Sequence, residues 1–243
     1  VNIGPQKFGL SRHPHMIIGT PGRLKDLVNQ GALKLGSVNV LVLDEVDRML
    51  DMGFITDIRF LIERLSPQRQ SLCFSATITP EIKGLLDKML VEPTTISVRT
   101  SETGQHIEQD IITAHSKDER MKILVDLLAR SEFEKVLVFA RTKHGAQHLS
   151  DDLRKRGFAS EAIHGNKSQP QRQRALKAFK DKRVKILVAT DVAARGLDIP
   201  NVTHVINFDE PNTYEDYIHR IGRTGRAGNK GQALTFVSPR ANF

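Results

Sequence analysis

Val40-Leu-Val-Leu43 runs straight into Asp44-Glu45-Val46-Asp47. Four aliphatic residues with no polar alternate predict a strand covered on both faces, and such strands belong to parallel sheets. The pattern returns on either side. Short apolar runs at 15–18, 71–74 and 95–98 read as strands, between segments of helical spacing at 24–30, 55–65 and 79–89. A second series follows, with strands expected at 111–114, 136–140, 159–163, 185–189, 202–208 and 233–237. Its helices are expected at 117–129, 143–156, 169–179 and 214–221. Strands that alternate with helices in this way predict an α/β chain built on parallel sheets. Between the two series, Arg99-Thr-Ser-Glu-Thr-Gly-Gln105 is polar and aperiodic and reads as a linker.

A length of 243 residues fits one or two domains. With 39% hydrophobic and 26% charged residues, the composition is that of a soluble globular chain, not a disordered or collagen-like one. A single cysteine, Cys73, excludes a disulfide framework and a cysteine-based zinc site and fits a reducing compartment. The apolar runs fall far short of the ~18 residues of a membrane helix, and no basic-then-apolar leader is visible. A cytoplasmic protein with no membrane partner is the expectation. The first residue is Val, not Met, which suggests a missing start. The formal charge is +8, with an excess of two before residue 100 and six after it. Such a balance fits a nucleic-acid surface or simply a solvated basic one.

Several segments carry residues suited to chemistry. A strand that ends in Asp44-Glu45 presents two carboxylates at the carboxyl edge of a sheet, where one can hold Mg²⁺ through water and the other can activate water. Acids also favour helix starts without any catalytic role. Ser75-Ala-Thr77 follows the next strand and can bridge by hydroxyl hydrogen bonds or serve as an ordinary turn. Thr20-Pro-Gly-Arg23 puts proline just inside a helix start, which suits a backbone phosphate or a plain capped turn. Thr190-Asp191 and Asp198 lie beyond another strand and could donate to a phosphate and accept from a ribose, or cap a turn.

The sharpest cluster is Tyr217-Ile-His-Arg220-Ile-Gly222-Arg223-Thr-Gly225-Arg226-Ala-Gly228. Arginine and glycine each recur at every third position. Each glycine costs a helix about 1 kcal/mol relative to alanine, so the pattern predicts close backbone approach or special dihedrals. Arginine grips phosphate oxygens in a bidentate way and keeps its charge.

These pieces, in this order, resemble the DEAD-box ATP-dependent RNA helicases of superfamily 2, over essentially the whole chain. The matching segments are TPGR at 20–23, DEVD at 44–47, SAT at 75–77, VLVFART at 136–142, Gln169-x-x-Arg172, ATDVAARGLD at 189–198 and HRIGRTGR at 219–226. RMLDMGF at 48–54 and IHGNKSQPQR at 163–172 look most like the bacterial RhlE-type subgroup. The resemblance implies two RecA-like parallel-sheet domains, the first incomplete: a partial ATP-binding domain at 1–98, a linker at 99–107 and a C-terminal helicase domain at 108–243. It implies ATP and Mg²⁺ as cofactors, with Asp44 holding the metal through water and Glu45 activating the attacking water. Arg223 and Arg226 would reach the γ-phosphate, and Gly196 and Asp198 would meet the nucleotide. Asp47, Ser75, Thr77 and His219 would couple nucleotide state to movement. RNA, single-stranded or a short duplex and largely independent of sequence, would meet Thr20, Gly22, Arg23, Arg141, Gln169, Arg172, Thr190 and Asp191.

Two departures stand out. Val46 replaces the family's usual alanine. No Gly-Lys dipeptide occurs, so the phosphate loop G-x-x-x-x-G-K-[ST] is absent from these residues. The sequence therefore reads as an N-terminally truncated helicase with little ATPase activity alone. The alternatives are a non-hydrolysing RNA-binding module and a DNA-directed translocase.

Overall fold

The structure, a computed structural model, describes residues 2–97, 106–194, 197, 199–225 and 229–239. The chain divides into two compact units, Val1–Ser97 and Val98–Phe243.

The first unit runs α1 (Ile3–Leu10), α2 (Pro21–Asn29), β1 (Val40–Leu43), α3 (Val46–Asp51), α4 (Ile55–Ile62), β2 (Gln70–Cys73) and α5 (Pro80–Met89). β1 and β2 pair in parallel from Val40↔Gln70 to Leu43↔Cys73. Leu43 packs with Val46, Ile58, Ile82, Leu85 and Met89 on one face, with Leu41 and Cys73 against them. Val40, Val42, Leu72 and Phe74 on the other face are exposed, Val42 at 52%. Cover is thus present on one face and open on the other, as an incomplete first domain implies, and among the described residues a single helical layer imposes the alternation that the aliphatic run hid. Two expected strands fail. Residues 15–18 form no strand, nor do 95–97, the described part of the expected 95–98, and Ile18 is 88% exposed. A strand exists only through ladder bonds to a neighbour, and among the described residues neither segment has one. Cys73 faces the core side; burial first, then the Asp47 carboxylate, pushes its thiol pKa up and keeps it protonated.

In the second unit the two-sided reading holds. Its elements are β3 (Ile107–Thr113), α6 (Lys117–Ala129), β4 (Val136–Phe139), α7 (Lys143–Lys155), β5 (Ser160–Ile163), α8 (Gln169–Lys180), β6 (Ile186–Ala189), α9 (Asp191–Ala194), β7 (His204–Asn207), α10 (Tyr214–Ile221) and β8 (Gly231–Val237). The sheet order is β3-β8-β7-β4-β6-β5, and every pairing is parallel. Val136, Val138, Ile186 and Val188 pack under α6 and α7 on one face. Leu137, Phe139, Leu187 and Ala189 meet Ala175 and Phe179 of α8 and Ala193 of α9 on the other. Helix starts are set by side-chain caps. Ser116 accepts from the Glu119 amide, Thr142 from Gly145 and Thr213 from Asp216, while Ser168 and Gln171 form a reciprocal capping box.

The chain leaves β4 toward β5 but leaves β6 toward β7, crossing over β4. The order reverses between β4 and β6, and ligands of open α/β sheets bind beyond the carboxyl ends at such a switch.

Two buried histidines make stability pH-dependent. His204 stacks on Phe133, with centroids 3.8 Å apart, and burial lowers its pKa against opposing effects of Gln232 and Glu132. His164 is lowered by burial and then by Lys167, His144 and Lys143. A lowered folded-state pKa means the unfolded chain binds protons first. The contribution is therefore complete above the unfolded value, near 6.5, and is lost as pH falls through the folded value. The melting temperature of the second unit is expected to fall from pH 7 toward pH 5, and His204→Phe should flatten that slope; circular dichroism melts check both.

Candidate functional site

β1 delivers Asp44 and Glu45 to solvent at its carboxyl end, and both side chains are exposed. The Glu45 amide donates to Asp44 Oδ1 at 3.0 Å. Glu45 caps α3 in the left-handed conformation, φ 53° and ψ 50°, without a side-chain cap bond. For a residue with a Cβ this backbone is strained. Glu45→Gly is expected to stabilise the first unit by ~1 kcal/mol, since glycine removes the Cβ conflict and still serves as an N-cap. An unchanged or lower urea midpoint would contradict that account.

The next acid is used differently. Asp47 is buried, and its Oδ2 accepts from the Ala76 amide at 3.0 Å, the Thr77 amide at 3.0 Å and the Thr77 hydroxyl at 3.2 Å. Ser75 Oγ takes the Asp47 amide at 3.3 Å and donates to the Thr77 carbonyl at 2.7 Å. The loops after β1 and β2 are thus clasped together beside the exposed pair. Elsewhere in this unit Thr20 precedes Pro21 as the α2 N-cap, and its hydroxyl makes no cap bond. Gly22 and Arg23 follow in the first turn, half-buried, with Arg23 3.8 Å from Asp26.

In the second unit the carboxyl edge gathers most of the expected RNA residues. Arg141 follows β4, exposed, its amide on Asp209 Oδ2 at 2.8 Å. Thr190 and Asp191 follow β6, the strand beside it. Gln169 and Arg172 sit in the first turn of α8, and the Arg172 Nε is a buried donor without a hydrogen-bond partner among the described residues. Buried polar groups are rarely left unpaired, so this atom marks a place for an acceptor.

One arginine of the three-residue row, given no role of its own by the sequence, organises this edge. Arg220 is 1% exposed, and its Nε and Nη2 grip both Asp191 oxygens at 2.6 and 2.8 Å. Its Nη1 reaches Asn207 Oδ1 at 3.2 Å and the Asp209 carbonyl at 2.7 Å, and its guanidinium lies 5.0 Å over Phe139. Asp191 therefore serves Arg220 first. The signal was present: Arg220 opens the three-residue arginine period, at the same spacing as Arg223. Arg223 donates to the Leu197 carbonyl at 2.9 Å, and His219 is half-buried on α10. Gly225 bears out the glycine reading, with φ 65° and space so close that a Cβ would meet Ile107 Cγ1 at 2.6 Å. Gly222 has an ordinary helical φ of −62°. Gly196, Asp198 and Arg226 lie outside the described residues.

Two family models match the sequence, one in each unit. The DEAD/DEAH box helicase model matches residues 3–85, and the helicase conserved C-terminal domain model matches residues 119–228. A hypothetical ATP-dependent RNA helicase from Sulfolobus tokodaii is 34% identical over 97% of this chain and 69% of its own, with a TM-score of 0.54. The chain belongs to the DEAD-box RNA helicase family. The DEAD-box helicase CshA of Geobacillus kaustophilus is 48% identical over 98% of this chain, which spans only 51% of that relative. Yeast Dbp5, solved bound to RNA and ADP BeF3, shares 32% identity over 91% of this chain and 59% of its own, with a TM-score of 0.78. The α/β fold with parallel sheets expected from the strand–helix alternation is the one these solved structures share with the chain. Among the described residues no helix is long and apolar enough to cross a membrane.

Proposed function

We propose that the chain forms the catalytic and RNA-gripping part of an ATP-dependent RNA helicase, with residues 1–98 and 108–243 as RecA-like domains joined at 99–107. The observation that carries this reading is the Asp47 clasp on Ser75–Thr77 beside a solvent-facing Asp44–Glu45 pair. It ties two hydrolytic carboxylates to a segment that can sense the nucleotide.

On this reading Glu45 takes a proton from water as its oxygen attacks the γ-phosphorus of ATP and the bond to ADP breaks. Asp44 is an exposed hard-oxygen donor and fits Mg²⁺ held through water. Among the described residues no group of three or more His, Cys, Asp or Glu side chains is placed to hold a metal ion. When bound, Mg²⁺ supplies charge neutralisation on the phosphates. Arg223 and Arg226 stabilise the same charge, and an arginine in that role contributes ~10³–10⁵ in rate. Gly196 and Asp198 hold the nucleotide, and His219 joins Asp47, Ser75 and Thr77 in reporting its state. Thr20, Gly22 and Arg23, with Arg141, Gln169, Arg172, Thr190 and Asp191, grip RNA sugar and phosphate, which gives salt-sensitive binding with little sequence preference. Strand separation follows when that grip holds one strand alone, and the setting is the cytoplasm.

One feature favours a second reading, an RNA-binding module without turnover: the 243 residues hold no Gly-Lys dipeptide to build a phosphate loop. RNA-stimulated phosphate release by this chain, measured beside a complete DEAD-box helicase, separates the cases. We expect low turnover here, lower still in Glu45→Gln, and RNA affinity that responds to nucleotide. Turnover near the complete helicase would overturn the low-activity reading. Affinity indifferent to both nucleotide and Glu45→Gln would leave the binding module.

A further inference from the structure

Beyond the motifs, the second unit holds a cavity of about 340 Å³ at its carboxyl edge, over the ends of β3, β8, β7 and β4. That lies within the ~300–1,000 Å³ of small-ligand sites. Its lining contains two kinds of group. Lys117 and Arg141 are exposed cations whose charged groups have no hydrogen-bond or ion-pair partner among the described residues. Asp209 and Glu210 are half-buried carboxylates, each taking one backbone amide, from Arg141 at 2.8 Å and from Ser238 at 3.1 Å. A carboxylate can accept about four hydrogen bonds, so both keep acceptor positions to spare. Arg120 behind them is scaffold: it donates to the Phe208 carbonyl at 3.0 Å and the Ser238 hydroxyl at 2.7 Å, with Glu210 3.8 Å away.

The chemistry of this lining is selective. Two free cations ask for an anion. Two carboxylates beside them disfavour a bare phosphate and ask for donors as well. The amino end of α6 is no substitute anion site, because its first turn carries Asp118 and Glu119. A ligand that offers a phosphate and neighbouring hydroxyl donors is a ribonucleotide. Position selects its source. Arg141 belongs both to this cavity and to the β4 end, beside the β6 end that carries Thr190 and Asp191.

We propose that the cavity is a subsite for one further ribonucleotide of the bound RNA strand, with its phosphate on Lys117 and Arg141 and its ribose hydroxyl on Asp209 and Glu210. The proposal rests on the RNA-binding reading and extends the track past the motif residues toward β3 and β8. Selection of RNA over DNA then gains a second point of readout, through the 2′-hydroxyl.

The test uses the full chain and fluorescein-labelled oligouridylates lengthened one nucleotide at a time, read by anisotropy. Wild type should show one added nucleotide that tightens binding about tenfold, the size of one charge-assisted hydrogen bond. Lys117→Ala should erase that step and leave the affinity for shorter RNA unchanged. Making only the added nucleotide 2′-deoxy, or Glu210→Gln, should shrink it. If wild type binds RNA but shows the same step in Lys117→Ala and with the deoxy substitution, the subsite is overturned while the RNA reading stands. If wild type binds RNA at no length, the underlying reading fails. If free uridine monophosphate binds in a Lys117-dependent way while the RNA step ignores Lys117, the cavity serves a free nucleotide and the proposal falls.

Discussion

Arg220→Ala is expected to lower the unfolding free energy of the second unit by roughly 3–5 kcal/mol, the usual result of removing one member of a buried pair. The guanidinium is 1% exposed and donates to Asp191, Asn207 and the Asp209 carbonyl at once. Deleting it leaves the Asp191 carboxylate without its bidentate partner and the Asn207 Oδ1 and Asp209 carbonyl without its bonds. Its removal also opens a gap under Phe139. Arg220→Lys should recover only part of the loss, because an ammonium cannot match the planar fork that meets both oxygens of Asp191. A double-mutant cycle with Asp191→Asn, followed by urea unfolding, isolates the pair. A loss below about 1 kcal/mol for Arg220→Ala would mean that water replaces the network and that its burial is misjudged. The same pair bears on RNA. With both carboxylate oxygens of Asp191 already engaged, a change at Asp191 should weaken RNA binding partly by releasing Arg220 and with it the Asp209 loop.

The second large effect is expected at Asp47. Its Oδ2 satisfies two backbone amides and a hydroxyl of the segment after β2, and its Oδ1 satisfies the Arg48 amide at 2.9 Å. Hydrogen bonds to a charged acceptor contribute ~1.5–3 kcal/mol each, and stranded buried donors cost about 1–3 kcal/mol. The bonds share one group and do not add, so Asp47→Ala should cost about 3 kcal/mol in the first unit. Asp47→Asn tests the charge separately, since an amide that keeps one acceptor oxygen must turn donors toward donors on its other side. Hydrogen exchange at the Ala76 and Thr77 amides gives the local readout: protection should vanish in Asp47→Ala while the β1–β2 ladder keeps its own. Protection retained at both amides would show that the strand pairing, not the carboxylate, holds the loop. Because Asp44 and Glu45 stand immediately before this clasp, its loss should also impair any hydrolysis more than its distance from solvent suggests.

How far the sequence could be read differs between the two units. In the second, nearly every expected strand and helix appears within a few residues, because each strand pairs with neighbours inside the unit and each helix carries its own cap. Short α9 went unread: four residues are too few to display a period. In the first unit, residues 15–18 have a strand's composition but no strand's ladder, and Val40-Leu-Val-Leu43 is apolar at every position although only Leu41 and Leu43 face the core. Composition states what a segment tolerates; pairing and cover come from other segments.

The order of the motifs was enough to determine the family, the α/β class and the residue types available for chemistry, because those depend on spacing along the chain and on side-chain identity. Which acid faces water and which is clasped, that Asp191 is held by Arg220, and that Lys117 stands beside Arg141 over one cavity were decided only by tertiary structure. These are contacts between segments from about 24 to about 30 residues apart, and periodicity within a short window holds no record of them.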